Sequence, residues 1–308
     1  MANEALKVLI SSDVQKALFP DNTFYEGCQS DAAAIDVDTI TIPQDETGTS
    51  EVLVDPTKLP LESYMEEDTK KTYGANFLIT RPQPISWNNS LLTSYDKRAA
   101  KIYKHTNSLF TMLANRIMYG WSPSVSGNIK QAQGTATRTA TAPGATGTRK
   151  VTVEQDWISM MTLFNAWNVP VEGRRVVVPP PFYEDILAIK KSYGYGTEAN
   201  NTLFGNPLNK GAIARIFTFD VYMRSVTTVF DTGGAKKAVG AAGATTDNLS
   251  AIFYHPMFVR YVKGTSEVFM DPYKKPELAG GVGLNVAIRG GGTQSRNSQI
   301  GVAALIEQ

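Results

Sequence analysis

Cysteine and histidine are nearly missing from this chain: Cys28, His105 and His255 are the whole stock in 308 residues. One thiol cannot bridge to itself, so no internal disulfide framework holds the fold. Cys28 sits in the polar stretch DNTFYEGCQSDAAA with no activating base beside it, which argues against a nucleophile. Two distant histidines, without Cys, Asp or Glu at ligand spacing, argue against a zinc site. No G-x-S-x-G elbow accompanies either one. No apolar run approaches the roughly 18–20 residues of a membrane span, so no membrane partner is expected. The start, MANEALKVLISSDVQKAL, carries Asp13 and no apolar block, so a secretory signal is not expected, and synthesis in a reducing cytoplasm fits.

Signatures of ligand chemistry are equally thin. GATGTRK, 144–150, has some character of a phosphate loop, but no glycine precedes Lys150 and no apolar strand leads in. Gly280, Gly281 and Gly283 lack the dinucleotide fingerprint. The acids Glu66-Glu67-Asp68 and Glu184-Asp185 read as solvated faces. The basic residues are not interleaved with aromatics as in RNA binders. The expectation is therefore no catalytic, cofactor-binding or metal residues, and a chain that is not an enzyme.

What is present is a long apolar stripe. In SLLTSYDKRAAKIYKHTNSLFTMLANRIMY, residues 90–119, apolar positions from Leu92 through Tyr95, Ala99, Ile102, Tyr103, Leu109, Phe110 and Leu113 to Ile117 recur every three or four residues. The spacing predicts one helix of about 45 Å, capped by Asn88, Asn89 or Ser90 and stopped by Gly120. Charge is segregated as well. Residues 1–68 hold fifteen acidic and three basic side chains; residues 69–308 hold fourteen and twenty-seven. An acidic arm beside a basic body is expected to be either solvated or laid on the body of another copy.

In chain order, residues 1–35 read as an extended arm with a short helix from Ala5 to Leu18. Residues 36–79 read as a hairpin: DVDTITIP alternates with Ile40 and Ile42 on one side, DETGTS turns, EVLVD resumes, and residues 68–81 return. A thin hairpin of this kind needs a surface to lie on. Residues 121–150, rich in Gly, Ala and Thr, read as a low-complexity surface loop. Residues 152–168 predict a helix with a Thr152/Gln155 capping box and a buried face of Trp157, Met160, Met161, Phe164 and Trp167. Arg175 to Val178 is apolar on both faces, hence a central strand. Pro179–Pro181 opens a helix running to Lys191. A strand is expected over 213–230 with Phe217, Phe219 and Val221 inward, then a second Gly/Ala loop, 232–248. SAIFYH reads as a buried strand, PMFVRYVKG as a short helix, SEVFMDPYKKPEL as strand then turn, and residues 281–308 as two strands parted by a glycine turn. The fold class is mixed α+β.

The segment WNVPVEGRRVVVPPPFYEDIL, 167–187, resembles the NVP…GR…V…PP…Y…L stretch of tailed-bacteriophage major capsid proteins with the HK97 fold. The hairpin 36–79 and helix 90–119 are similar to that family's E-loop and spine helix. IARIFTFDVYMRSVTTVF and AIFYHPMFVRYV are similar to its next segments, in the same order, although Thr218 stands where a glycine is common. The resemblance implies an N-arm over 1–35, an E-loop over 36–79, and a peripheral domain over 80–150 carrying the spine helix (90–119) and a loop. It further implies an axial domain over 151–290, and a C-terminal strand, 291–308, returning to the peripheral domain. It implies a major capsid protein that self-assembles into pentamers and hexamers of an icosahedral shell. Its partners would be copies of itself, a separate scaffolding protein, a portal, decoration proteins, and double-stranded DNA held by confinement. Its place would be the virion, after assembly in the host bacterial cytoplasm. The alternatives are an encapsulin-like compartment shell, or a β-rich enzyme or carbohydrate-binding domain with its site in the 121–150 loop.

Overall fold

The long apolar stripe is a helix in the computed structural model, which describes residues 19–20, 22–34, 39–44, 69–85, 97–194, 197, 203–207, 209, 211–270 and 282–308. The chain begins with β1 (Gln29–Ser30), β2 (Thr39–Gln44), β3 (Thr69–Gly74), β4 (Asn76–Ile79) and β5 (Gln83–Ile85). Helix α1 (Lys97–Trp121) follows, then β6 (Ile129–Gln131), β7 (Thr137–Thr139), β8 (Thr148–Lys150), α2 (Glu154–Ala166), β9 (Arg175–Val178) and α3 (Pro180–Ser192). The remainder is β10 (Ala214–Ile216), β11 (Phe219–Met223), β12 (Ser250–Tyr254), β13 (Val259–Lys263), β14 (Glu267–Met270), β15 (Val282–Gln294) and β16 (Val302–Ile306). The short helix expected over Ala5–Leu18, the turn at 45–50, the EVLVD strand and the cap at 88–90 lie outside the described residues.

The first sheet is built on β15. Strands β13 and β14 pair along one of its edges, β4 and β5 along the other, all antiparallel, and β1 adds in parallel outside β13. Helix α1 lies across this sheet. Leu109, Leu113 and Ile117 of the expected stripe are buried, joined by Ala114 and Met118. Gly120 does not stop the helix, contrary to expectation. It permits contact: a Cβ there would sit 1.9 Å from the Gly292 carbonyl oxygen. The Gly290–Gly292 run, expected as a turn, lies inside β15 for the same reason. A Cβ on Gly292 would meet Ile117 Cα at 3.0 Å, and one on Gly290 the Leu113 methyl at 2.5 Å. Helix backbone and strand backbone touch directly because neither carries side chains at the crossing.

The second sheet runs β10-β11-β9-β12-β16-β6. Every described residue of β9, β12 and β16 is buried, because strand side chains alternate faces and both faces are covered. Val177, Ile252, Tyr254, Val302 and Ala304 point into the core shared with α1. Val176, Val178, Phe253, Ala303 and Leu305 point into a second core under α2 and α3, with Trp157, Met160, Phe164, Phe182 and Ile186. The central position read for Arg175–Val178 holds, with β11 on one side and β12 on the other. Of the face expected on the second helix, Met161 and Trp167 are only partly buried.

Several expectations are corrected. PMFVRYVKG is a 3-10 turn, Pro256–Phe258, followed by β13, which pairs with β15; Val259 and Val262, three residues apart, point from opposite faces of the strand into separate cores. Residues 213–230 hold a hairpin, not one strand: Phe217 adopts φ 50°, Thr218 follows, and β10 and β11 pair across the turn. The capping box at α2 is made differently. The Asp156 carboxylate accepts the Val153 amide at 2.9 Å, while Thr152 hydrogen-bonds Asp185 instead. The boundary at 290 does not follow the sheets. β16 pairs with β12 and β6 in the second sheet, whereas β13, β14 and β15 belong with α1 in the first.

Candidate assembly surfaces

Residues 22–34 are not a free arm in their described part. Phe24 is 2% exposed, edge-on to Trp121 with centroids 5.6 Å apart. Its carbonyl accepts from the Tyr254 hydroxyl at 2.5 Å and from Arg175. The Arg224 guanidinium lies 5.7 Å from the Phe24 ring and bonds Asn22. Trp121 itself donates from Nε1 to the Arg260 carbonyl at 2.8 Å. The segment is a wedge between α1 and both sheets. Its acidity is also used internally: Asp31 forms an ion pair with Arg260 of the same chain at 2.8 Å. Asp31 further accepts from Tyr73 in β3 at 2.6 Å. Burial, and next Asp31, push the Tyr73 phenol far above its ordinary range.

The base of the 36–79 hairpin likewise rests on its own body. β2 pairs with β3 in antiparallel register, with Ile40, Ile42 and Gln44 inward. Ile40 packs with Ala75 and Val262. The Gln44 amide bonds the Ser295 carbonyl, and Lys71 the Arg296 carbonyl at 2.7 Å. The tip, 45–68, lies outside the described residues.

The 121–150 stretch is not a simple surface loop. β6 extends the second sheet, β7 and β8 form a small hairpin, and two arginines fasten them. Arg138 bonds both Asp185 oxygens at 2.7 Å and Glu307 at 3.2 Å. Glu307 is wholly buried, its other oxygen accepting the Leu249 amide. Arg149 reaches Asn248 and the carbonyls of Thr245 and Asp247 in the second Gly/Ala loop. Charge-assisted hydrogen bonds from the two arginines anchor the small hairpin, beside the β6–β16 ladder and the buried Ala132 and Ala142.

That second loop, 232–248, is tied to the end of α1. Lys236 donates to the carbonyls of Tyr119 at 3.0 Å and Ser122 at 2.7 Å, where the helix leaves acceptors unsatisfied. Burial, and then the like charge of Lys71, pull its ammonium down to about 8. Gln294 supplies further donors to Trp121 and Ser122.

Neither Cys28 nor either histidine belongs to a metal-ligand set among the described residues. Burial pushes the Cys28 thiol up to about 12, with Arg175 opposing weakly. His255 accepts the Met257 amide and contacts the Glu172 carbonyl at 2.9 Å; burial lowers its pKa. His105 is buried on α1, its pKa lowered by burial and then by Lys101 and Lys104. Among the described residues no cluster of three or more His, Cys, Asp or Glu could hold a metal, and no helix is long and apolar enough to cross a membrane.

Apolar surface is concentrated instead. Opposite α1, the first sheet presents Phe77 and Ile79 of β4 and Phe269 of β14, which are 46–57% exposed. Register puts them on one face, through Ala287, Arg289 and Asn285 of β15. An apolar patch on a sheet face marks a contact surface.

The architecture has close relatives in shape. The capsid of the cyanophage P-SCSP1u superposes with a TM-score of 0.62 at 15% identity, covering 96% of this chain and 90% of that one. The capsid of Ralstonia phage GP4 gives 0.60 at 14%, covering 99% and 96%. The fold is the HK97-type capsid fold. An encapsulin complex from Synechococcus elongatus shares the HK97-type fold at a TM-score of 0.56 and 8% identity, over 95% and 91%. No family model matches the sequence, and no curated protein does. Composition gave no direct sign of the residues that lock this version of the fold together, namely Phe24, Gly120, Arg138 and Lys236. Their partners lie far along the chain: Gly120 meets Gly292, and Arg138 meets Glu307.

Proposed function

We propose that this chain is a major capsid protein, assembling into pentamers and hexamers of an icosahedral shell around double-stranded DNA. The observation that carries the reading is the whole-length fold, with near-complete coverage in both directions of phage shell chains. The reading assigns α1 and the first sheet to a peripheral domain, and the second sheet with α2 and α3 to an axial domain. In it, residues 36–79 are the E-loop and loop 232–248 faces the capsomer centre. Residues 1–35 keep the role of an N-arm only up to the buried wedge at Phe24. Self-association is the primary partnership. A separate scaffolding protein, a portal and decoration proteins complete the particle, and DNA is held by confinement. The virion is the final location.

A cellular cargo compartment is the second reading, favoured by the encapsulin likeness but at lower identity. Negative-stain microscopy of the purified full chain tests both. Hollow shells or capsomer rings are expected, and a persistent monomer overturns them together. Particles filled with DNA in the native source support the first reading, protein-filled ones the second.

A further inference from the structure

After β11 the chain runs from Ser225 to Val229, then bridges from Phe230 to Asn248. The last ladder bond is Arg224 N to the Val178 carbonyl at 3.0 Å, because Pro179 begins the turn into α3 and β9 ends. From Ser225 to Val229, five successive backbone amides donate to nothing among the described residues, and the carbonyls of Ser225 and Thr227 accept nothing. The Thr227 hydroxyl, on a residue 6% exposed, is also without a partner. Ser225 and Val226 are exposed and their amides meet water, but Thr227 and Thr228 are buried, and buried main-chain groups left without a partner are rare. The run is Val-Thr-Thr-Val from 226, all β-branched, the composition of a strand lacking its neighbour.

Two apolar hollows flank the run. One of about 220 Å³ lies toward Met118 and Tyr119 of α1, the other of about 260 Å³ toward Pro179–Pro181. They share Pro143, Val226, Thr227 and Val229, so they form one trough with unpaired main-chain donors along it. Val226, 42% exposed, stands on its rim.

We propose that residues 225–229 receive an extended segment of a second copy of this chain, which adds as a strand and fills the trough with alternate side chains. A row of main-chain donors calls for a row of carbonyls at polypeptide spacing, which neither a lipid nor a small molecule supplies. The source is a second copy because the inference rests on the shell reading, in which each subunit is flanked by others. A contact between unlike patches, repeated by rotation, closes a ring.

Hydrogen exchange on the full chain, compared between unassembled subunits and purified recombinant shells, reads the amides of Ser225, Thr227 and Val229 directly, the alternate residues whose donors share the edge of the free Ser225 and Thr227 carbonyls. Slowing on the order of tenfold or more on assembly is expected at these amides; equal rates in both states overturn the inference while leaving the shells intact. Two variants give an independent reading. Val226→Asp places a charge on the rim of the trough. Ser225→Pro removes a donor on the open edge that has no internal partner. Both are expected to keep the wild-type circular dichroism and to remain subunits or small oligomers. Shells from Val226→Asp at wild-type yield overturn the inference. If the wild type forms no particles by microscopy, the shell reading fails and this contact fails with it.

Discussion

At the scale of single residues, two positions decide how α1 meets the first sheet and the second Gly/Ala loop. Gly120→Ala drives a methyl into the Gly292 carbonyl, which is backbone and cannot rotate away. A loss of about 3 kcal/mol in urea unfolding of the subunit is expected. Gly127→Ala, with open space around it, should stay within about 0.5 kcal/mol. Lys236 makes a pH prediction. The folded chain releases this proton near pH 8, whereas an unfolded lysine holds it to about 10.5. Between those values unfolding takes up a proton, so stability rises with pH across the window; below pH 8 the buried charge is borne in full. Melting of wild type against Lys236→Met from pH 7 to 11 should show the rise in the wild type and its loss in the variant.

At the scale of elements, the periodic segments were legible and the anchored ones were not. The α1 stripe from Leu109 to Ile117, the two-faced strand at Arg175–Val178 and the alternation of β2 follow from local pattern; Ala99 and Tyr103, expected on the same helix face, are exposed, and Leu92 and Tyr95 lie outside the described residues. Gly290–Gly292 misled because glycine marks a turn and a close approach alike, and only the distant Gly120 distinguishes them. Val-Arg-Tyr-Val at 259–262 misled because its i, i+3 valines have helical spacing, whereas in the strand each fills a different core from an opposite face. The 121–150 stretch misled because composition does not register its attachment, made by the β6–β16 ladder, the Arg138 ion pairs and the Arg149 hydrogen bonds. Arg138→Met tests that attachment. It leaves Asp185 and Glu307 buried without their cation, and a loss of about 3–5 kcal/mol is expected in the same unfolding assay. New protease cleavage should appear between residues 137 and 150. Unchanged stability would mean that the hairpin rests on something other than this charge.

At the scale of the whole molecule, the acidic beginning of the chain has two parts. The part from residue 22 to residue 34 belongs to the body, through Phe24, Tyr25 and Asp31. Phe24→Ala should therefore destabilise the isolated subunit by about 3–5 kcal/mol, and removal of residues 1–35 should unfold it rather than leave a competent body. A deletion that stops at residue 18 separates any clasping role from that structural one.

The second sheet has no side facing water across β9, β12 and β16. Whatever loosens the helices beneath it also withdraws support from α1 above it, through the same four- and five-residue strands. Heating should accordingly produce one calorimetric peak for the subunit, with both layers lost together, and a substitution at Phe253 should lower the melting of Trp121 fluorescence as surely as one beside the tryptophan itself.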